Sequence, residues 1–193
     1  MKRALILIDV INDFLHPQGV NYYPVYDKVL SAIRQVLAIA RRAGWMIVHV
    51  RETHPLHHHE DFEFEKLPVH CLEGSEAIQW AEGIEVLPGE YVIHKRRYSA
   101  FFETDLNLLL HEKRIEQVVM VGVKTHVCVR ATVQDALGWG YRPVVVREAV
   151  GSNHTHLHQA SLEDIQRYMG EVISLQEFEQ WALSPKGEEH RET

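Results

Sequence analysis

Short, strongly apolar runs alternate along this chain with longer stretches whose apolar positions recur at helical spacing. That alternation constrains the fold before any motif is read. Ala4 to Val10 is too short for a helix and reads as a strand buried on both faces. From Asp27 to Ala43, the residues Val29, Leu30, Ile33, Val36, Leu37 and Ala40 mark one helix face, and Gly44 closes it. Further strands are expected at Trp45–Val50, Tyr91–His94, Gln117–Val121, Arg142–Val146 (opened by Pro143) and Val172–Ser174. Helices are expected at Asp105–Lys113, Val127–Gly138, His156–Met169 and Gln176–Leu183. The order implies βαβ units and a mostly parallel sheet covered on both faces, an α/β fold in one domain over 1–183. The tail 184–193 carries too few apolar residues to pack and is expected to be mobile. Only Arg51 to Glu90 lacks periodicity; it holds Pro55, Pro68 and Pro88, and irregular segments of that length tend to be functional.

Composition removes several function classes. With 20 Lys+Arg against 27 Asp+Glu among 193 residues, the formal charge is −7, which argues against a nucleic-acid partner. No stretch is apolar for the length of a membrane span. The start MKRALILIDV reads as a first strand rather than a signal peptide, because Asp9 interrupts the apolar run. Two cysteines, Cys71 and Cys128, cannot form a disulfide framework, which suits a reducing cytoplasm. The unusual residue is histidine: 14 in all, bunched at His54–His59 and His154–His158. The second bunch alternates beside a helix start, where surface or capping roles are expected.

Ligands of open α/β sheets bind beyond the carboxyl ends of the strands. Strand one delivers Asp9 to that rim, strand three delivers Lys95, and strand four runs through Gly122 into GVKTHVC, ending at Cys128. Each alone has an ordinary structural explanation; their convergence is what points to chemistry. Cys128 falls near a predicted helix start, where free N–H groups and Lys95 would favour a thiolate. Asp9 could take the thiol proton and return it to a leaving amine, and the same N–H groups could hold an oxyanion. Phe14, Tyr98 and Phe101 flank these segments and could wall a pocket for a planar amide.

Three segments, ALILIDVINDF, HKRRYSAFFETDL and VGVKTHVCVRATVQDA, resemble the isochorismatase-like cysteine hydrolases, which include nicotinamidases. The resemblance runs nearly to Phe178. It implies a three-layer α/β/α sandwich, commonly a homo-oligomer, and a Cys128–Asp9–Lys95 triad that hydrolyses a carboxamide through an acyl-enzyme. It also implies a cis peptide between Val123 and Lys124, with the N–H groups of Lys124 and Cys128 forming the oxyanion hole. Members that cleave a vinyl ether lack the nucleophilic cysteine, so Cys128 favours C–N hydrolysis.

The segment RETHPLHHHEDFEFEKLPVHCLEGSEA adds Glu52, His54, His57, His58, His59 and His70, a donor set that suits Zn, Mn or Fe. The resemblance implies Glu52, His54 and His70 as ligands of a divalent metal, most naturally zinc, with one of His57, His58 and His59 as a further ligand. No organic cofactor is expected. Glu52 stands where the family places Asp, one methylene shorter. Leu67 occupies a position that is commonly aromatic, and Val127 one that is polar or aromatic in some members; both would border the substrate. The expected activity is ammonia release from a small nicotinamide-like amide. A metal-independent ureide or N-carbamoyl hydrolase, or a non-catalytic binder, are the competitors.

Overall fold

A computed structural model describes residues 1–57 and 61–184. His58, His59 and the tail from 185 onward lie outside the described residues. Six strands form one parallel sheet in the order β3-β2-β1-β4-β5-β6. They are β1 (Arg3–Ile8), β2 (Met46–Glu52), β3 (Tyr91–Lys95), β4 (Gln117–Val123), β5 (Arg142–Gly151) and β6 (Glu171–Ile173). The helices are α1 (Asn12–Leu15), α2 (Tyr26–Arg42), α3 (Leu106–Glu112), α4 (Arg130–Gly138), α5 (Thr155–Tyr168) and α6 (Leu175–Leu183). Alternate strand residues feed two separate cores. Leu5, Leu7, Val119, Val121, Val144 and Val146 pack with α2 and α6, whereas Ala4, Ile6, Ile8, Val118, Met120 and Val145 pack with α3, α4 and α5. The central strands are apolar on both faces because both faces are covered. The covered parallel sheet expected from the pattern, and the three-layer sandwich the resemblance implies, are therefore observed.

Two boundaries move by three residues or more, each for a physical reason. The fifth strand continues to Gly151 instead of ending at Val146. Its pairing with β4 jumps from Met120↔Val145 to Gly122↔Val150, so the exposed Arg147 and Glu148 form an irregularity within the strand. The helix expected from Val127 instead begins at Arg130, after a wide π turn over Thr125–Val129. In that turn the Lys124 carbonyl accepts the N–H groups of Val127 (3.0 Å) and Val129 (3.2 Å).

The topology reverses at β1, which lies between β2 and β4, and the crevice at such a switch point is where α/β sheets bind ligands. The backbone above it is shaped for the purpose. Asp9 adopts φ 54°, a left-handed conformation rare outside glycine, and its N–H bonds the Val50 carbonyl at 2.9 Å. Gly122, at φ 122°, pairs with Ile8 in the neighbouring strand, and a Cβ there would overlap the Ile8 carbonyl.

Candidate active site

Asp9, Lys95 and Cys128 meet at the carboxyl rim, each at most 4 % exposed. Lys95 Nζ lies 2.9 Å from Asp9 Oδ2 and 3.5 Å from Cys128 Sγ. Asp9 Oδ1 accepts the Glu52 N–H at 2.7 Å, which fixes the carboxylate. Its buried Oδ2 receives no well-aligned hydrogen bond from any described residue, so a lone pair remains for the thiol proton. The strands supply the precision: Asp9 follows β1, Lys95 ends β3, and the π turn after β4 lifts Cys128 to meet them. The peptide between Val123 and Lys124 is cis.

Burial pushes the Cys128 thiol well above its usual value; the Lys95 charge opposes this. Burial also raises Asp9, against the pull of Lys95 and with a further push from Glu52. Lys95 rises well above the ordinary lysine range: its own burial works against it, but the Asp9, Cys128 and Glu52 charges outweigh that cost. The surrounding charges therefore favour the charged form of Lys95. A raised carboxylate is the better proton acceptor from a resting thiol.

Glu52 links this triad to a second set of donors. Its Oε2 is 3.1 Å from Lys95 Nζ and 3.9 Å from Cys128 Sγ. Its Oε1 is 2.7 Å from His70 Nε2 and 3.0 Å from His54 Nε2. Burial alone would raise Glu52, but Lys95 and then the two imidazoles hold it well below the carboxylate range. His54 Nδ1 faces Asp61 Oδ2 at 3.2 Å, and His70 Nδ1 faces the Pro68 carbonyl at 2.7 Å, which leaves both Nε2 atoms turned toward Glu52. Asp61 is gripped by Arg96 (3.0 Å) and Arg97 (3.1 Å), so the basic run after Lys95 serves the donor set as its support.

Sequence reasoning missed Glu63. It sits in a 3₁₀ turn over Phe62–Glu65, and its Oε2 comes within 4.0 Å of His54 Nε2. Both of its carboxylate oxygens are buried without a hydrogen-bond partner among the described residues. A buried carboxylate beside two imidazoles and a second carboxylate is costly unless a cation joins them, and Glu52, His54 and Glu63 already lie close enough to share one. The residues present thus fit a divalent metal. Of the third-histidine candidates, His57 is exposed, while His58 and His59 lie outside the described residues. At the start of FEFE Phe62 is exposed and Glu63 is buried, the reverse of what hydropathy suggests, so the sequence carried no signal for it.

The pocket residues separate. Phe14 is buried edge-on to His70, with ring centroids 6.5 Å apart. Phe64, which sequence reasoning also missed, packs against His54 (4.8 Å) and His70 (5.3 Å) and supplies an aromatic ring where Leu67 cannot. Tyr98 is 42 % exposed at the rim, and Leu67 and Val127 are half-buried. Phe101 instead stacks on Tyr141, just before β5 and toward the opposite rim, so its contacts are those of core packing. Cys71 is buried with its N–H and thiol on Asp13 Oδ2 (2.9 and 3.3 Å), consistent with a packed thiol. His158 bonds Thr125 Oγ1 at 2.9 Å, and His154 and His156 are exposed around the start of α5.

An isochorismatase domain model matches residues 3–177. The maleamate amidohydrolase of Pseudomonas putida is 36% identical over 183 residues, covering 91% of this chain and 84% of that protein. The N-carbamoylsarcosine amidase of an Arthrobacter species is 30% identical over 185 residues, covering 90% and 68%. Among solved structures, the pyrazinamidase of Pyrococcus horikoshii in complex with zinc superimposes with a TM-score of 0.83 at 27% identity, over 90% of this chain and 99% of that one. Sheet order, rim geometry and these likenesses agree: the chain belongs to the isochorismatase domain family, and its close relatives are amidohydrolases.

Proposed function

We propose that this protein is a cysteine-dependent amidohydrolase that cleaves the C–N bond of a small carboxamide through an acyl-enzyme and releases ammonia. The observation that carries the reading is the Lys95 ammonium held between the Asp9 carboxylate (2.9 Å) and the Cys128 thiol (3.5 Å) in a buried site. Asp9 takes the proton from Sγ as sulfur bonds to the amide carbon and the carbonyl π pair moves to oxygen. The N–H groups of Lys124 and Cys128 are the assigned oxyanion donors. As the oxyanion collapses, Asp9 returns the proton to the leaving nitrogen, the C–N bond breaks and ammonia departs. Asp9 then deprotonates a water that attacks the thioester; C–S cleavage releases the carboxylic acid and regenerates the thiol. Lys95 keeps its charge throughout and stabilises whichever partner is anionic.

Glu52, His54, His70 and Glu63 are the residues that would hold a divalent metal, zinc by the nature of the donors. When bound, the ion would supply Lewis acidity toward the substrate or an attacking water. Phe14, Phe64 and Tyr98 border the same space and suit a planar amide of nicotinamide type. A second reading, an open-chain or ureide substrate handled without metal, is favoured by two observations. Glu52 Oε2 is already engaged by Lys95, and Leu67 stands where a ring-sandwiching aromatic is expected.

The test is an ammonia-release screen over nicotinamide, pyrazinamide, maleamate, biuret and N-carbamoyl amino acids, with Cys128→Ala as the blank. Turnover by the wild type that vanishes in Cys128→Ala supports the reading; equal turnover in the variant overturns it. Zinc titration by calorimetry, comparing wild type with His54→Ala and His70→Ala, tests the metal separately. One equivalent in the wild type and none in the variants is expected.

A further inference from the structure

Beside Phe14, whose ring also contacts His70, stands a cation that the triad and the metal donors leave unused. Lys124 Nζ lies 5.7 Å from the centroid of the Phe14 ring, whose edge-on contact with His70 is on the metal-donor side. Its hydrogen-bond partner is neutral: Asn21 Oδ1, at 3.1 Å. No carboxylate of a described residue lies within 4.0 Å of Lys124 Nζ. Asp13, on the segment just before Asn21, spends one oxygen on the Val20 N–H and the other on Cys71. A half-buried ammonium with a neutral partner, four residues before the nucleophile, is an incomplete ion pair.

Two more groups on the same side are unfinished. Asn21 is 5 % exposed, and its Nδ2 is buried with no acceptor among the described residues. Tyr26 is fully buried, and its Oη likewise lacks a partner among the described residues. The Tyr26 ring packs on Gly151, the β-partner of Val123, and so borders the strand end from which Lys124 emerges. Buried donors of this kind normally have partners in the folded chain, and their lack here is what a polar ligand would supply. The field has the same sign. Burial and then the Lys124 charge push His126 below its usual value, with His154, His156 and His158 adding to the effect. A local positive field on a chain of net charge −7 favours anions beside Lys124.

We infer that the substrate is an amide that also carries a carboxylate, and that Lys124 Nζ with Asn21 Nδ2 receives that carboxylate while Cys128 attacks the amide. This inference rests on the amidohydrolase reading above and narrows its substrate class. The side chain of Lys124 reads charge; its main-chain N–H has the separate oxyanion role. The carboxylate also positions the substrate, since its distance from the amide carbon must match the span from Lys124 to Sγ.

The experiment compares two amides that differ only in the charged group: maleamate and its neutral diamide, maleamide. In the wild type kcat/KM for maleamate should exceed that for maleamide by about 10- to 100-fold, the worth of one charge-assisted contact. Lys124→Met should bring the ratio close to one, and Lys124→Arg should restore most of it. Because the readout is a ratio, a general loss of activity in the variant does not mimic the result. A wild-type ratio within twofold of one, or a ratio preserved in Lys124→Met, overturns the inference. If neither amide turns over, maleate and maleamide are compared as protectants of Cys128 against iodoacetamide, followed by intact mass. Maleate should protect at a roughly tenfold lower concentration in the wild type and lose that advantage in Lys124→Met; equal protection in the wild type overturns the inference. Undiminished ammonia release by Cys128→Ala would strike the parent reading, whereas Cys128-dependent turnover without charge preference would strike this inference alone.

Discussion

The protein buries two clusters of charge, and they are built in opposite ways. Around Glu90 both carboxylate oxygens are paired. Arg41 reaches its carboxylate with Nε at 2.7 Å and with an Nη at 3.0 Å, His49 Nε2 approaches at 2.7 Å, and the Leu87 N–H donates at 3.0 Å. Burial alone would raise Glu90, but these donors bring it down to about 2. At the carboxyl rim Asp9, Glu52 and Glu63 share one ammonium and two imidazoles; Asp9 Oδ2 has only the Lys95 ion pair, and the Glu63 oxygens have no hydrogen-bond partner among the described residues. The first cluster ties β2, α2 and the approach to β3 together. The second keeps an excess of carboxylate charge at the rim, which costs folding energy and, in the proposed mechanism, is where a proton, a cation or a substrate arrives.

If that contrast is right, substitutions at the rim should cost activity far more than stability. Cys128→Ala should lower ammonia release by at least about 1000-fold, since no other group can form the acyl-enzyme, with a melting temperature close to wild type. A melting temperature lowered by ten degrees or more would place Cys128 in the structural class. Asp9→Asn should cost about 100- to 1000-fold in kcat. It should also slow iodoacetamide alkylation of Cys128 at neutral pH, because the proton acceptor is gone. Alkylation at the wild-type rate would uncouple Asp9 from the thiol.

The paired cluster should answer in the other currency. Glu90→Ala leaves Arg41 and His49 facing a lost partner and should destabilise the fold by about 2–3 kcal/mol in urea unfolding. Substrate preference should be unchanged, since none of these groups lines the rim. A change in the ratio of substrate turnovers would show that the two clusters communicate.

Much of this division could be read from the chain. Asp9, Lys95 and Cys128 were visible because short parallel strands aim their carboxyl ends at one rim, so position along the sequence is already position in space. Glu52 and His54 were visible for the same reason, as the continuation of β2. What escaped lies in the loop from Thr53 to Glu90, where contacts rather than period set the path. The bridge pairing of His54 with Leu72 and the arginine grip on Asp61 turn the 3₁₀ segment inward and bury Glu63. Lys124 and Asn21 lie 103 residues apart, and neither residue type announces a pairing. The irregularity within β5 is hidden in the sequence because the charged Arg147 and Glu148 look like a strand terminus.

The finest test of the contrast is the sign of stability against pH. Glu90 is depressed to about 2 against an ordinary 4.5, so its contribution is complete above 4.5 and is lost as the pH falls toward 2. Burial lowers His49 from 6.5, so it too removes stability as the pH falls through the range where the unfolded imidazole charges. Glu63 has the opposite sign. Burial and the neighbouring Glu52 charge raise it above 4.5, so its ionisation erodes the fold as the pH rises through that raised value. In metal-free protein Glu63→Gln should therefore gain about 1 kcal/mol near neutrality and nothing below about pH 4, where the carboxyl is protonated in both states. Urea unfolding at pH 4 and pH 7 in the presence of a chelator gives both numbers. A variant less stable than wild type at pH 7 would mean that Glu63 is compensated after all, and the two clusters would no longer differ in kind.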